Sequence, residues 1–211
     1  MEILAHRGLW CQPDEKNTLT ALFKGLDEGY GLETDIRDLN GRLIISHDVS
    51  THGSAIPLEQ LLHYYTDGNF TSTLALNIKS DGLQKLLHDQ LQKYAIKNYF
   101  IFDMSVPDTL GYFKWGMPTF IRRSDVEYYP KLMLSAQGIW LDELLTPWIN
   151  TEVIISQTSI VGSVCIVSAE LHGRSYNKQW EYITNALSVE NLSNKLLICT
   201  DFPSYAKRHF T

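Results

Sequence analysis

The sequence predicts an α/β fold of the (β/α)8 TIM-barrel class, and three observations carry that prediction. Short apolar runs rich in Ile, Val, Leu and Phe recur along the 211 residues, each followed by a segment with helical spacing, which is the alternation of βα units. The strand candidates number eight, at 2–5, 31–37, 73–79, 98–103, 117–122, 138–142, 163–168 and 195–200. Polar residues gather at the ends of these runs, where a barrel carries its chemistry. The competing fold, an open doubly wound sheet, lacks its signature, because no Gly-x-Gly-x-x-Gly or Walker-type loop follows any strand.

The elements follow in order. After the first strand, Asn17 reads as an N-cap, and Leu19, Leu22, Phe23 and Leu26 share one helical face before Gly29 and Gly31 end the turn. The run Leu43-Ile44-Ile45-Ser46 follows Asp35 too closely for a parallel crossover. Asn40-Gly41 is a tight-turn dipeptide, so residues 31–46 read as a hairpin excursion after strand two. Leu83, Leu86, Leu87 and Leu91 mark a helix after the third strand, and Trp180, Ile183 and Leu187 mark one before the last. No linker or repeat interrupts the chain, so residues 1–211 are expected to form a single compact domain.

Composition narrows the function. Lys and Arg number 18 against 24 Asp and Glu, a net charge of −6, so a nucleic-acid backbone would be repelled and no nucleic-acid partner is expected. Cys11, Cys165 and Cys199 are too few and too widely spaced for a disulfide framework or a zinc knuckle and read as free thiols in a reducing compartment. Residues 1–6 lack a basic segment followed by an apolar one, and no window approaches a membrane span. The expectation is a soluble cytoplasmic protein without membrane insertion. Its oligomeric state is not legible.

The strand ends carry the candidate chemistry. Strand one ends in His6-Arg7-Gly8, strand two contains Glu33-Thr34-Asp35, the returning hairpin arm ends in His47-Asp48, and strand three ends in Asn77-Ile78-Lys79. Side chains alternate along a strand, so Glu33 and Asp35 share one face, as do Asn77 and Lys79. Two carboxylates on one inward face repel each other; a divalent cation with hard oxygen ligands, Mg2+ or Ca2+, would relieve that, and so would Arg7 and Lys79. Both a metal site and a structural ion-pair cluster fit this spacing. His6 and His47 form a natural proton-transfer pair, with Asp48 able to orient His47. The other histidines, His52, His63, His88, His172 and His209, read as solvated and without a role, with His172 after strand seven also a candidate for the rim. Arg7 and Lys79 supply fixed positive charge for an anionic, oxygen-rich substrate such as a phosphate ester, and Lys79 could alternatively form a Schiff base.

His6-Arg7-Gly8, Asn17-Thr18, Glu33-x-Asp35, Gly41, His47-Asp48, Ile78-Lys79 and Thr200-Asp201 occur in that order. This series resembles the glycerophosphodiester phosphodiesterase family, from Ala5 to about Pro203, with the specific matches in the first 80 residues. The resemblance implies a (β/α)8 barrel that uses one divalent cation to hydrolyse a small-molecule phosphodiester to an alcohol and glycerol phosphate. By position, His6 and His47 match the acid/base pair, Glu33 and Asp35 match metal ligands, and Arg7 and Lys79 match phosphate-contacting residues.

One departure bears on the cation. The family usually has Glu-x-Lys on strand three, where this chain has Asn77, whose amide carbonyl can still ligate Mg2+ or Ca2+ with one negative charge fewer. Glu170, after strand seven, could restore that charge. Asn77 also makes a non-catalytic barrel that binds phosphorylated ligands an alternative, and a Schiff-base lyase using Lys79 is the third. Trp140, sharing a face with Asp142, and Arg122 could shape the pocket.

Overall fold

A computed structural model of the chain describes residues 1–50, 55–189 and 192–210. His52 lies outside the described residues. The chain divides into two compact units, Ala5–Thr119 and Met1–Leu4 with Phe120–Thr211. Among the described residues, eight strands are each followed by an α-helix, directly or after a hairpin. This is the predicted α/β alternation.

The Ala5–Thr119 unit begins within β1 (Glu2–His6), followed by α1 (Leu19–Asp27). Thr18, not Asn17, caps α1, because its side-chain oxygen accepts the Ala21 N–H. Asn17 instead has φ 61°, a left-handed conformation that Asn tolerates and that turns its amide away from the helix end. β2 (Gly31–Leu39) runs on into β3 (Arg42–Ile45) as an antiparallel pair, with Leu39 opposite Arg42. Asn40 and Gly41 lie between them at φ 51° and 75°, the pair of positive angles a tight hairpin turn needs. The short β4 (Ile56–Pro57), α2 (Leu58–Asp67), β5 (Leu74–Ile78), α3 (Gln84–Lys93), β6 (Tyr99–Phe102) and α4 (Val106–Lys114) complete the unit. In α3, Leu87 and Leu91 are buried, but Leu86 is exposed, one residue off the inward stripe.

Register in this unit decides what the site contains. β2 pairs in parallel with β5, setting Glu33 opposite Ala75 and Asp35 opposite Asn77, and β5 pairs with β6, setting Asn77 opposite Phe102. Partners across a parallel pair face the same way, so Glu33, Asp35 and Asn77 share one face.

The other unit contains β7 (Phe120–Arg123), α5 (Pro130–Met133), β8 (Gly138–Leu141), α6 (Thr151–Ile160), β9 (Ser163–Val167), α7 (Asn177–Val189), β10 (Leu196–Thr200) and α8 (Pro203–Phe210). β7 to β10 form a parallel sheet in sequence order. Its strands are continuous apolar runs with little exposure, as a sheet covered on both faces requires. Cys165 and Cys199 are fully buried within it, and Cys11 is exposed; none of the three forms a disulfide among the described residues. Among the described residues, no helix is long and apolar enough to cross a membrane.

Candidate functional site

The loop after β1 is shaped by a residue that has to be glycine. Gly8 has φ 94°, and a Cβ there would lie 2.6 Å from the Ala21 carbonyl carbon, so the chain can press on α1 only without a side chain. Arg7 precedes it at φ 59°, a left-handed angle costly for a non-glycine residue. It is held by its N–H donating to Glu33 O at 2.9 Å and its carbonyl accepting the Asn17 N–H at 2.9 Å. These bonds aim the guanidinium at Asp35, with Nε 2.8 Å from Oδ2.

Asp35 is fully buried, and a carboxylate without water needs partners. Asn17 Nδ2 donates to its Oδ2 at 2.8 Å, and Lys79 Nζ lies 3.6 Å from its Oδ1. Asn17 is fixed in turn by accepting the Thr34 hydroxyl at 2.8 Å. The residue that read as a helix cap is thus a positioning residue for Asp35.

Glu33 is 1% exposed and Asn77 is 7% exposed. Asn77 Nδ2 donates to Glu33 Oε1 at 3.1 Å, and His6 Nε2 stands 3.8 Å from Glu33 Oε2. Burial, followed by the charge of Asp35, pushes the Glu33 carboxyl up to about 7. Among the described residues, Glu33 Oε2, Asp35 Oδ1 and Asn77 Oδ1 are buried and have no hydrogen-bond partner. They belong to the three residues expected to ligate a metal. Hard, dehydrated oxygen donors of this kind fit Mg2+ or Ca2+. Among the described residues no group of three His, Cys, Asp or Glu side chains has metal-holding geometry, so any such ligand set depends on the Asn77 amide.

Lys79 reaches a residue that strand-end reading passed over. Its Nζ lies 2.9 Å from Asp103 Oδ2, and Asp103 has φ 74° directly after β6. Its signal in the sequence is an acid that closes the apolar run 99–102.

His47 arrives by the hairpin. β3 brings the chain back so that the Ser46 N–H donates to Asp35 O at 3.0 Å, which sets the next residue level with the carboxylates of β2. Arg37 Nε donates to the His47 carbonyl at 3.0 Å. The ring is about half exposed, and its Nδ1 lies 2.8 Å from Asp48 Oδ1. That hydrogen bond holds the Asp48 carboxyl below its ordinary value. An imidazole fixed through Nδ1 presents Nε2 for proton transfer.

The structure therefore joins His6, Arg7, Glu33, Asp35, Asn77 and Lys79 by direct contacts, and brings His47 to their level on a separate arm. Glu170 is committed elsewhere: its Oε2 accepts the Ser168 hydroxyl, and its Oε1 accepts the Thr200 hydroxyl and, at 3.1 Å, the Asp201 N–H. It ties the ends of β9 and β10, which accounts for it without a cation. His172, read as solvated, is instead engaged by the buried Asp142.

No protein-family model matches the sequence, and no curated protein is similar enough to match. Solved structures are similar in fold. A candidate glycerophosphodiester phosphodiesterase from Galdieria sulphuraria superposes with a TM-score of 0.76 at 15% identity, covering 99% of this chain and 97% of that one. A phosphodiesterase from Oleispira antarctica, solved with its product sn-glycerol-3-phosphate, gives 0.71 at 14% identity over 99% and 96%. A Ca2+-dependent phosphatidylinositol-specific phospholipase C from Streptomyces antibioticus gives 0.57 at 10% identity over 100% and 96%. The chain shares the (β/α)8-class fold of these proteins.

Proposed function

We propose that this chain is a metal-dependent phosphoric diester hydrolase that cleaves a glycerophosphodiester or a similar small phosphodiester to an alcohol and glycerol phosphate. The observation that carries the reading is the juxtaposition of three buried oxygens that accept no hydrogen bond among the described residues, on Glu33, Asp35 and Asn77, with two cationic side chains, Arg7 and Lys79. The fold it shares with phosphodiesterases supports the same reading.

Glu33, Asp35 and Asn77 would hold one divalent cation, Mg2+ or Ca2+, which when bound supplies Lewis-acid stabilisation of phosphoryl charge. Arg7 and Lys79 do the same from the protein side. Each is anchored from behind by a carboxylate, so its remaining donors can meet the non-bridging oxygens without reorganising. His47, with Nδ1 held by Asp48, takes or delivers a proton through Nε2. His6, whose Nε2 stands 3.8 Å from Glu33 Oε2, is the second proton carrier. The Schiff-base alternative needs a neutral amine at Lys79, whereas its Nζ is bracketed by Asp103 at 2.9 Å and Asp35 at 3.6 Å.

The substrate we assign is a small molecule, since a net charge of −6 disfavours nucleic acid. Three cysteines outside any disulfide among the described residues suit a reducing compartment such as the cytoplasm. One observation favours a second reading: Asn77 supplies an amide where a carboxylate would bind a cation more strongly, which suits a barrel that binds phosphorylated ligands without turning them over. Incubating the protein and a glycerophosphodiester with Mg2+ or Ca2+ separates the two. Release of glycerol phosphate that EDTA abolishes supports the hydrolase. Thermal stabilisation by the diester with no product supports the binding protein.

A further inference from the structure

Two left-handed residues stand at the ends of the loop between β1 and α1. Arg7 and Asn17 have φ 59° and 61°, angles that cost a non-glycine residue free energy and persist where the surroundings over-determine them. The Asn17 N–H donates to the Arg7 carbonyl at 2.9 Å, which holds the two residues side by side. Their side chains end on one atom: Arg7 Nε and Asn17 Nδ2 each lie 2.8 Å from Asp35 Oδ2. The other oxygen, Oδ1, is buried and accepts no hydrogen bond among the described residues, with Lys79 Nζ 3.6 Å away.

A carboxylate turns easily about its last torsion, which is broad and two-fold. Two donors on Oδ2 remove that freedom and settle where Oδ1 points. The amide donor can do this only if its own sense is fixed, since the carbonyl and NH2 groups of Asn are similar in size and opposite in hydrogen bonding. Thr34 supplies that constraint. It is fully buried, and its hydroxyl donates to Asn17 Oδ1 at 2.8 Å. With the carbonyl engaged there, the NH2 group faces Asp35; the reverse orientation would set a carbonyl against a carboxylate. Thr34 lies between Glu33 and Asp35 on β2, and alternation turns its side chain to the opposite face from theirs. Its route to the Asp35 carboxylate therefore runs through Asn17.

We propose that Thr34 is a positioning residue for the cation site: its hydroxyl fixes the sense of the Asn17 amide, the amide and Arg7 together hold Asp35 Oδ2, and Oδ1 is the oxygen left to a cation. The proposal rests on the reading of Glu33, Asp35 and Asn77 as cation ligands. A group that orients a ligand from behind raises the affinity of a metal site without touching the ion. A buried hydroxyl that only satisfied its own hydrogen bond would change stability and leave cation affinity alone.

The test is the affinity of the whole protein for Mg2+ and for Ca2+, measured by titration calorimetry on the parent, Thr34→Val, Thr34→Ser, Asn17→Gly and the double variant Thr34→Val/Asn17→Gly. Val keeps the shape of Thr without the hydroxyl, Ser keeps the hydroxyl, and Gly accepts the positive φ of position 17 without an amide. The parent is expected to bind at least one of the two ions. Binding should weaken about tenfold or more in Thr34→Val and in Asn17→Gly, and stay within about threefold of the parent in Thr34→Ser. The double variant should bind no more weakly than Asn17→Gly, because both changes break one relay. Unchanged affinity in either folded single variant, an equal loss in Thr34→Ser, or losses that multiply in the double variant overturn the proposal, while binding by the parent leaves the ligand reading standing. Absence of binding of both ions by the parent overturns the two together. Asn17 is partly exposed, so Asn17→Gly decides the matter by the same criterion if Thr34→Val fails to fold.

Discussion

Asn77 and Glu33 meet across β5 and β2 through a single hydrogen bond, Nδ2 to Oε1 at 3.1 Å, and that bond places an amide where a second carboxylate would face the first. Replacing the amide by an acid tests what it does. Asn77→Glu puts another carboxylate beside a buried Glu33 and Asp35. It is expected to lower the melting temperature in EDTA, by an amount corresponding to about 1–3 kcal/mol of like-charge repulsion and lost hydrogen bonding. Saturating Mg2+ or Ca2+ should recover that loss and raise the melting temperature more than it does in the parent. A cation-independent melting temperature in both proteins would contradict the ligand assignment.

The Glu33 carboxyl gives a second handle. Its value in the folded chain, raised to about 7 from 4.5, means that the folded state holds a proton the unfolded state has released between those limits. Stability from this group is therefore greatest below about pH 4.5 and declines as pH rises to about 7, by at most about 3 kcal/mol. Denaturant melts in EDTA at pH 5 and pH 8 should show the decline. Glu33→Gln should flatten it, because Gln keeps the acceptor for Asn77 without the charge; an unchanged slope would refute the assignment.

Lys79 is held by Asp103 as well as by Asp35, so Asp103→Asn should leave the ammonium less well oriented. We expect a higher KM for a phosphodiester with a smaller change in kcat, and little change in melting temperature, since the pair is partly exposed. Equal loss of both kinetic parameters in Asp103→Ala and Asp103→Asn, with a large drop in stability, would show a structural role instead.

Gly8 should not tolerate a methyl group. Gly8→Ala forces a Cβ to within 2.6 Å of the Ala21 backbone at a positive φ, and a loss of roughly 2–4 kcal/mol is expected. Because Arg7 is the neighbouring residue, activity should fall more than stability does. A fully active, fully stable variant would contradict the role given to this loop.

How much of this the sequence showed depends on the kind of signal. Eight apolar runs located the parallel strands, because a strand covered on both faces leaves an unbroken hydrophobic record. Asn40-Gly41 announced the hairpin that returns His47, because few dipeptides accept two positive φ angles. Period-two alternation put Glu33 and Asp35 on one face, and register then added Asn77. Asn17 was misread because the same side chain that caps helices also satisfies a buried carboxylate, and only the three-dimensional position of Asp35 decides between them. Asp103 and the pairing of His172 with Asp142 join residues 24 and 30 positions apart along the chain, a relationship no local pattern records.

The central claim is that Glu33, Asp35 and Asn77 hold a cation beside Arg7 and Lys79 for hydrolysis of a phosphodiester. The most direct measurement is hydrolysis of bis(p-nitrophenyl) phosphate and a set of glycerophosphodiesters with Mg2+, Ca2+, Mn2+ or EDTA, using the parent protein, His6→Ala, His47→Ala and Asn77→Glu. The account predicts cation-dependent turnover by the parent, lost in EDTA and reduced at least about a hundredfold in each folded histidine variant. Turnover that persists in EDTA, or appears only in Asn77→Glu, would contradict it.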